Sequence, residues 1–168
     1  MLIISHRGNL DGPESCSENH SDSVDIAIEN GYDVEIDLHY TNSAWYLGHD
    51  NPLEKITTEW LHQRGERLWI HCKNYKCLET LNKEHPNLNF FWHWKDLYTV
   101  TKKGTIWCLA GANTIYNSIA VLPEQEIGFN YQDFCSKNTL IKGICTDHPN
   151  LFAKILKKQG MTKKEDKN

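Results

Sequence analysis

The sequence predicts an α/β fold: a compact, trimmed (β/α)8 TIM-like barrel of seven or eight strands, with some helices replaced by loops. Three observations lead there. Short apolar runs alternate with helical patterns through the first half, as parallel strands joined by crossovers require. Polar residues gather where the runs end, at His6-Arg7, Asp37 to His39, His71 to Lys73, His93 to Lys95 and Asp147-His148, the pattern expected of a site at the C-terminal edge of a parallel sheet or barrel. The chain has 168 residues, whereas a full barrel usually needs about 250, so its second half must be abridged.

In chain order, Met1 to Ser5 reads as a first strand, ended by His6-Arg7-Gly8 and a loop rich in Gly, Pro, Ser and Asn. Ser21 or Asp22 is placed to cap a helix with Val24, Ala27 and Ile28 on one face, stopped by Asn30-Gly31. In the second strand Val34, Ile36 and Leu38 alternate with Glu35, Asp37 and His39, so the apolar set and the acidic set occupy opposite faces. Asn42-Ser43 turns the chain, and Ala44 to Leu47 returns as a short excursion ending in Gly48-His49-Asp50. Thr57 or Thr58 caps the next helix, Leu68 to Cys72 is a third strand, and Tyr75 to Glu84 a helix. Further strands are expected at Asn89–Trp94, Thr105–Ala110, Ser118–Leu122 and Ile141–Thr146, with Ile127–Tyr131 as one more candidate. Pro149 opens a C-terminal helix, as a first turn accepts proline. Residues 1–160 are thus expected to form one domain, and 161–168 a charged, frayed tail.

Composition narrows the function classes. Hydrophobic content of 39% with 24% charged residues is globular, and a net charge of −4 disfavours a nucleic-acid partner. No apolar run approaches the roughly 20 residues that span a bilayer, and no obvious apolar membrane-binding surface is legible. The opening MLIISHRG is too short in apolar residues for a signal peptide, so a cytoplasmic location and no stable membrane insertion are expected. The six cysteines form no CxxC pair, and several sit in apolar runs, where reduced thiols behave as small core residues. Oligomeric state is not legible.

Candidate chemistry centres on the second strand. Glu35 and Asp37 on one strand face need a counter-ion, and a divalent cation is the obvious one. On the third strand Trp69, His71 and Lys73 share a face, so His71 and Lys73 would enter the same interior. Two carboxylates and an imidazole make a plausible metal site. Lys73 either binds an anion there or neutralises a carboxylate in a structural ion pair. His6 and His49, from two loops above paired strands, could serve as an acid–base pair, and the planar fork of Arg7 suits a phosphate oxygen. Trp92 and Trp94 share a face, as do Phe91 and His93; with Trp107 and Tyr131 they read as barrel filling or as substrate walls, and His93 as a further ligand or polar contact.

These residues carry a resemblance. His6-Arg7-Gly8, Glu18-Asn19, Glu35-x-Asp37, His49-Asp50, His71-x-Lys73 and Thr146-Asp147-x-Pro149 stand in the order of the motifs of glycerophosphodiester phosphodiesterases and their phospholipase-C-like barrel relatives. The match is dense over 3–73, recurs at 143–150 and is nearly absent between. The resemblance implies a metal-dependent phosphodiesterase of lipid metabolism. It would hydrolyse a small glycerophosphodiester to an alcohol and a phosphomonoester, directly or through a cyclic phosphate. His6 and His49 would be the catalytic pair and Arg7 and Lys73 the phosphate holders. Glu35, Asp37 and His71 would be ligands of one divalent ion, Mg, Ca or Mn. Glu18 would support the site, and Asp147 would cap the last helix or orient a site residue.

His71 departs from the family, whose third ligand is a carboxylate; an imidazole suits Mn²⁺, Fe²⁺ or Zn²⁺ better than Ca²⁺ or Mg²⁺. The short chain also carries over no head-group-selecting loops. Two alternatives follow: a non-catalytic phosphoester-binding or scaffold barrel, and a phospholipase-D-like enzyme acting on lysolipid head groups.

Overall fold

Leu2–His6 (β1) is flanked by two parallel neighbours from opposite ends of the chain, Asp33–Thr41 (β2) and Gly143–Thr146 (β10), and the sheet grows outward from this centre. The computed structural model describes residues 1–160; the expected frayed tail lies outside them. Between β2 and β10 come Ala44–Leu47 (β3), Glu54–Ile56 (β4), Leu68–Cys72 (β5), Phe90–Phe91 (β6), Tyr98–Val100 (β7), Ile106–Cys108 (β8) and Ser118–Val121 (β9). Seven strands run parallel, in the order β6-β5-β2-β1-β10-β9-β8. β3 and β4 extend β2 as an antiparallel meander, and β7 lies antiparallel on β8.

β7 stands in the eighth place. Thr99 Oγ1 donates to the Trp92 carbonyl at 2.9 Å and Lys102 N–H to the Phe90 carbonyl at 2.7 Å, but no ladder joins β6 to β7 among the described residues. The result is a curled α/β sheet forming an open, trimmed barrel. Strand pleating sorts the core into two layers. Val34, Ile36, Leu38, Leu68, Ile70 and Cys72 face outward against Ser21–Glu29 (α1), Thr58–Arg64 (α2) and Tyr75–Glu84 (α3). Ile4, Trp69, Phe91, Trp107, Ile119, Val121 and Cys145 fill the interior. Phe152 and Leu156 of Pro149–Lys158 (α5) cover the outer face of Ile144, beside Cys135 of Tyr131–Lys137 (α4).

Several expectations need correcting. Asn89–Trp94 shrinks to the two residues of β6, and Trp92 and Trp94 leave the sheet; Trp94 is 75% exposed and fills no barrel. Ile127–Tyr131 is not a strand: Gly128 sits at φ +78° in a turn closed by Phe129 N–H to the Glu126 carbonyl, and Tyr131 begins α4 under an Asn130 cap. Neither Ser21 nor Asp22 caps α1. The N-cap is His20, whose side chain caps no helix N–H but meets Glu54 of β4 at 3.1 Å, and Glu54 accepts from Ser21 N–H at 2.9 Å. Local helix-start signals cannot reveal a cap that arrives from another strand. Thr57 does cap α2, accepting from Trp60 N–H, and Pro149 opens α5. Five of the six cysteines are buried and all are free, Cys16 being the exposed one. Among the described residues no helix is long and apolar enough to cross a membrane.

Candidate active site

At the C-terminal ends of the parallel strands His6, Arg7, Glu35, Asp37, His49 and His71 line one cavity of about 170 Å³. The register explains the meeting: Glu35 pairs with His6 of β1, and Asp37 with His71 of β5. Inward-facing positions of three adjacent parallel strands therefore reach the same height.

Asp37 is the most heavily engaged. It is buried, and its carboxylate lies 2.9 Å from His71 Nδ1, 3.3 Å from Lys73 Nζ and 2.9 Å from Arg7 Nε. The Arg7 contact is an ion pair whose N–H is not aimed at the oxygen. Asn19 clamps the residue from both sides, donating to Oδ2 at 3.0 Å and accepting from the Asp37 backbone N–H at 2.8 Å. Burial alone would raise this carboxyl, but the His71 hydrogen bond and the Arg7 and Lys73 charges outweigh it and hold it well below the usual range. Glu35 is the reverse case. Burial first, and the Asp37 charge second, push it up, and its Oε2 has no hydrogen-bond partner. Its nearest basic groups are imidazoles, His6 Nε2 at 3.8 Å and His71 Nδ1 at 4.0 Å.

His6 is buried and held by its other nitrogen. Nδ1 donates to Asp147 Oδ1 at 2.7 Å, which leaves Nε2 facing Glu35. Burial would lower this imidazole, but the Asp147 bond and the Glu35 charge raise it. Asp147 thus orients a site residue and does not cap α5, whose N-cap is His148. Arg7 adopts φ +54°, rare for a residue with a side chain, and Gly8 follows at φ +86°; a Cβ there would meet Ser23 backbone at 3.0 Å. This turn brings Arg7 Nη1 to Glu18 at 3.0 Å and Nε to Asp37, leaving Nη2 for a ligand. Glu18 is in turn held by Asn9 Nδ2 at 2.9 Å.

His49 is the most exposed of these residues: its side chain is 44% exposed and, among the described residues, pairs with exposed Asp50 at 2.7 Å. It hangs on Gly48, at φ +143°, where a Cβ would lie 2.1 Å from the Asn51 carbonyl. Gly48→Ala is therefore expected to distort the loop and displace His49. Activity should fall at least tenfold and the melting temperature should fall with it, because the clash is with backbone and Gly48 is bonded to Asp37 and His39; kcat/KM beside a melting curve measures both.

Sequence reasoning placed His6, Arg7, Glu18, Glu35, Asp37, His49, His71, Lys73 and Asp147, and all nine are brought together. It missed three supports. Asn9 bridges Glu18 and Asp147, donating to the latter at 2.8 Å. Asn19, matched within its motif, had no assigned role. Glu124 accepts from the Asp147 N–H at 2.8 Å and the Thr146 hydroxyl at 2.6 Å, and its surroundings in sequence carry no signal. His93 stacks on His71 with ring centroids 4.4 Å apart; burial and the His71 and Lys73 charges lower it to about 4. His39 is tied to the Gly48 carbonyl at 2.9 Å.

The site also admits a metal. Glu35, Asp37 and His71 each offer a ligand atom within 4.8 Å of the others. Glu18, Glu35, Asp37 and Asp147 face only two fixed cations in this cluster, Arg7 and Lys73. A divalent ion would offset the excess of carboxylates over cations. It would also give the orphaned Glu35 Oε2 a partner. His71 Nε2 lies 3.4 Å from the His93 carbonyl, and an ion on Nδ1 would take the place of the proton that Nδ1 now directs at Asp37. The residues fit the ion.

No protein-family model matches this sequence, and no curated protein matches it. Solved structures do. A glycerophosphodiester phosphodiesterase of Agrobacterium tumefaciens superposes with a TM-score of 0.59 at 14% identity, over 94% of this chain and 99% of that one. A phosphodiesterase of Oleispira antarctica, solved with the product sn-glycerol-3-phosphate, gives 0.58 at 13% identity over 94% and 97%. The chain shares the fold of these enzymes.

Proposed function

We propose that the protein is a metal-dependent phosphodiesterase acting on a small glycerophosphodiester. The observation that carries this reading is the convergence of His6, His49, Arg7 and the Glu35–Asp37–His71 trio on one cavity at the C-terminal strand ends, on a fold shared with phosphodiesterases.

Arg7 and Lys73 hold the phosphoryl oxygens and oppose their charge. His6 and His49 act as the acid–base pair. One takes the proton of the incoming oxygen as its bond to phosphorus forms; the other gives a proton to the departing alkoxide as the ester P–O bond breaks. With water as nucleophile the products are an alcohol and a phosphomonoester; with a substrate hydroxyl, a cyclic phosphate comes first. Asp147 fixes the His6 tautomer so that only Nε2 is free to exchange a proton. A divalent ion held by Glu35, Asp37 and His71 would supply Lewis-acid polarisation of a phosphoryl oxygen. The imidazole of His71 favours Mn²⁺, Fe²⁺ or Zn²⁺ in that position.

One observation favours the alternative of binding without turnover: Asp37 is already satisfied by protein groups alone. The deciding experiment is hydrolysis of glycerophosphocholine and bis(p-nitrophenyl) phosphate with Mn²⁺, Zn²⁺ or Mg²⁺. Turnover that needs an added metal is expected; none with any metal, while glycerol 3-phosphate still binds, would leave the scaffold reading.

Metal occupancy is read separately, by thermal unfolding. Glu35 is raised in the folded state, so above its ordinary value of 4.5 its ionisation costs stability when no metal is bound. Metal-free Glu35→Gln should therefore melt higher than wild type at pH 7. Mn²⁺ at a hundred times its dissociation constant should stabilise wild type by about 2.7 kcal/mol and leave Glu35→Gln nearly unmoved. Equal responses of the two proteins would remove Glu35 from the metal site.

A further inference from the structure

Apolar residues line one wall of the cavity and recur on the exposed segment that adjoins it. The cavity wall opposite the acidic cluster is Trp107, Leu109 and Leu122. Leu109 N–H donates to the Leu97 carbonyl at 2.9 Å, so the wall leads directly onto the Trp94–Tyr98 segment. There Trp94 is 75%, Leu97 51% and Tyr98 42% exposed. This rim lies at the same strand ends as the site, because Tyr98 pairs with Cys108 at the C-terminal end of β8. Across Arg7 and His49 the surroundings change: a second cavity of about 270 Å³ shares those two residues and is walled by Ser15, Glu18, Asn19, Asp50 and Asn51, with Leu53 as its apolar member.

We infer that the site takes phosphodiesters with unlike arms, an apolar chain running over Leu109 and Leu122 to the Trp94–Leu97–Tyr98 rim, and a polar alcohol in the Ser15–Asn51 cavity. The inference rests on the phosphodiesterase reading and narrows its substrate class. The phosphate bridges the two cavities because Arg7 and His49 border both. Isolated exposed apolar residues are ordinary, but three within five positions beside a cavity mouth, with Lys95 and Asp96 among them, offer an amphipathic ligand surface. Of the rim the sequence offered only Trp94, as barrel filling or a substrate wall; Leu97 and Tyr98 lie beyond the strand expected over Asn89–Trp94.

The test is a series of methyl, butyl and octyl esters of glycerol 3-phosphate, each below its micelle concentration. Each methylene laid on the wall is expected to raise kcat/KM about two- to fourfold, the upper figure being full burial, until the chain passes the rim. In the Trp94→Ser/Leu97→Ser double variant, altered only at exposed positions, the octyl-to-methyl ratio should fall several-fold. A ratio near one in wild type, or a ratio unchanged in the variant, overturns the inference and leaves the phosphodiesterase reading intact. Should no ester be hydrolysed, that reading fails, and calorimetric titration then decides the apolar arm: tighter binding of octyl than methyl ester supports it, and equal dissociation constants overturn it.

Discussion

Alanine at His6 is expected to lower kcat/KM on a glycerophosphodiester by about 10²–10⁴, the range that a positioned acid or base contributes. His6 is buried beside Glu35, and only its Nε2 remains after Nδ1 is given to Asp147. Asp147→Asn should fall between wild type and His6→Ala, because asparagine fits the space but no longer fixes the imidazole or its charge. Asn9 and Glu124 hold Asp147 in place, so the asparagine variant should keep the fold. The proton linkage of His6 sets the assay conditions. Its folded value is raised above 6.5, so the stability it supplies is fully present below that pH and is lost as pH rises through the folded value. His6→Ala is thus least destabilised relative to wild type on the alkaline side, where activity and folding are best separated. Wild-type turnover in His6→Ala would remove His6 from the chemistry.

Asn in place of Asp37 should be the most destabilising change in the site, by about 3–5 kcal/mol, because removing one partner strands buried opposite charges. Arg7 and Lys73 would lose their shared carboxylate, and Asn19 one of its two bonds. Glu35 can take over part of the burden, since its Oε1 lies 4.0 Å from His71 Nδ1, which puts the expected loss toward the lower figure. Asp37 is depressed in the folded state, so its contribution is present above 3.8 and lost as pH falls through the lower folded value. Urea unfolding of wild type and Asp37→Asn should therefore differ most near neutrality and converge in strong acid. Equal stabilities at pH 7 would mean that the cations do not depend on Asp37.

The opposed behaviour of two carboxylates one turn of pleat apart has a plain origin. Asp37 has protein donors on both oxygens, whereas Glu35 has an unpartnered oxygen and, among the described residues, only the His6 and His71 imidazoles as basic groups within 4.0 Å. Asp37 is thus neutralised by protein groups, while Glu35 keeps one oxygen without a protein partner. Lys73, read from sequence as either an anion holder or a structural counter-ion, is the counter-ion of Asp37 in this structure; its phosphate role belongs to the proposed mechanism.

What the sequence by itself determined is what a local period can carry. The two-residue alternation of Val34, Ile36 and Leu38 with Glu35, Asp37 and His39 assigned both faces of β2, and the same rule sent His71 and Lys73 inward. Pro149 and Thr57 marked helix starts by local chemistry. The tertiary structure alone decided what depends on distant partners: β10 beside β1, which sets Asp147 against His6 across 141 positions; Glu54 of β4 as the partner of the first turn of α1; and Asn9 and Glu124 behind the site. It also decided that Phe91 turns into the barrel while Trp94 stays in solvent. Side-chain periodicity fixes a face, but only the curl and register of the sheet fix which faces meet and which remain open.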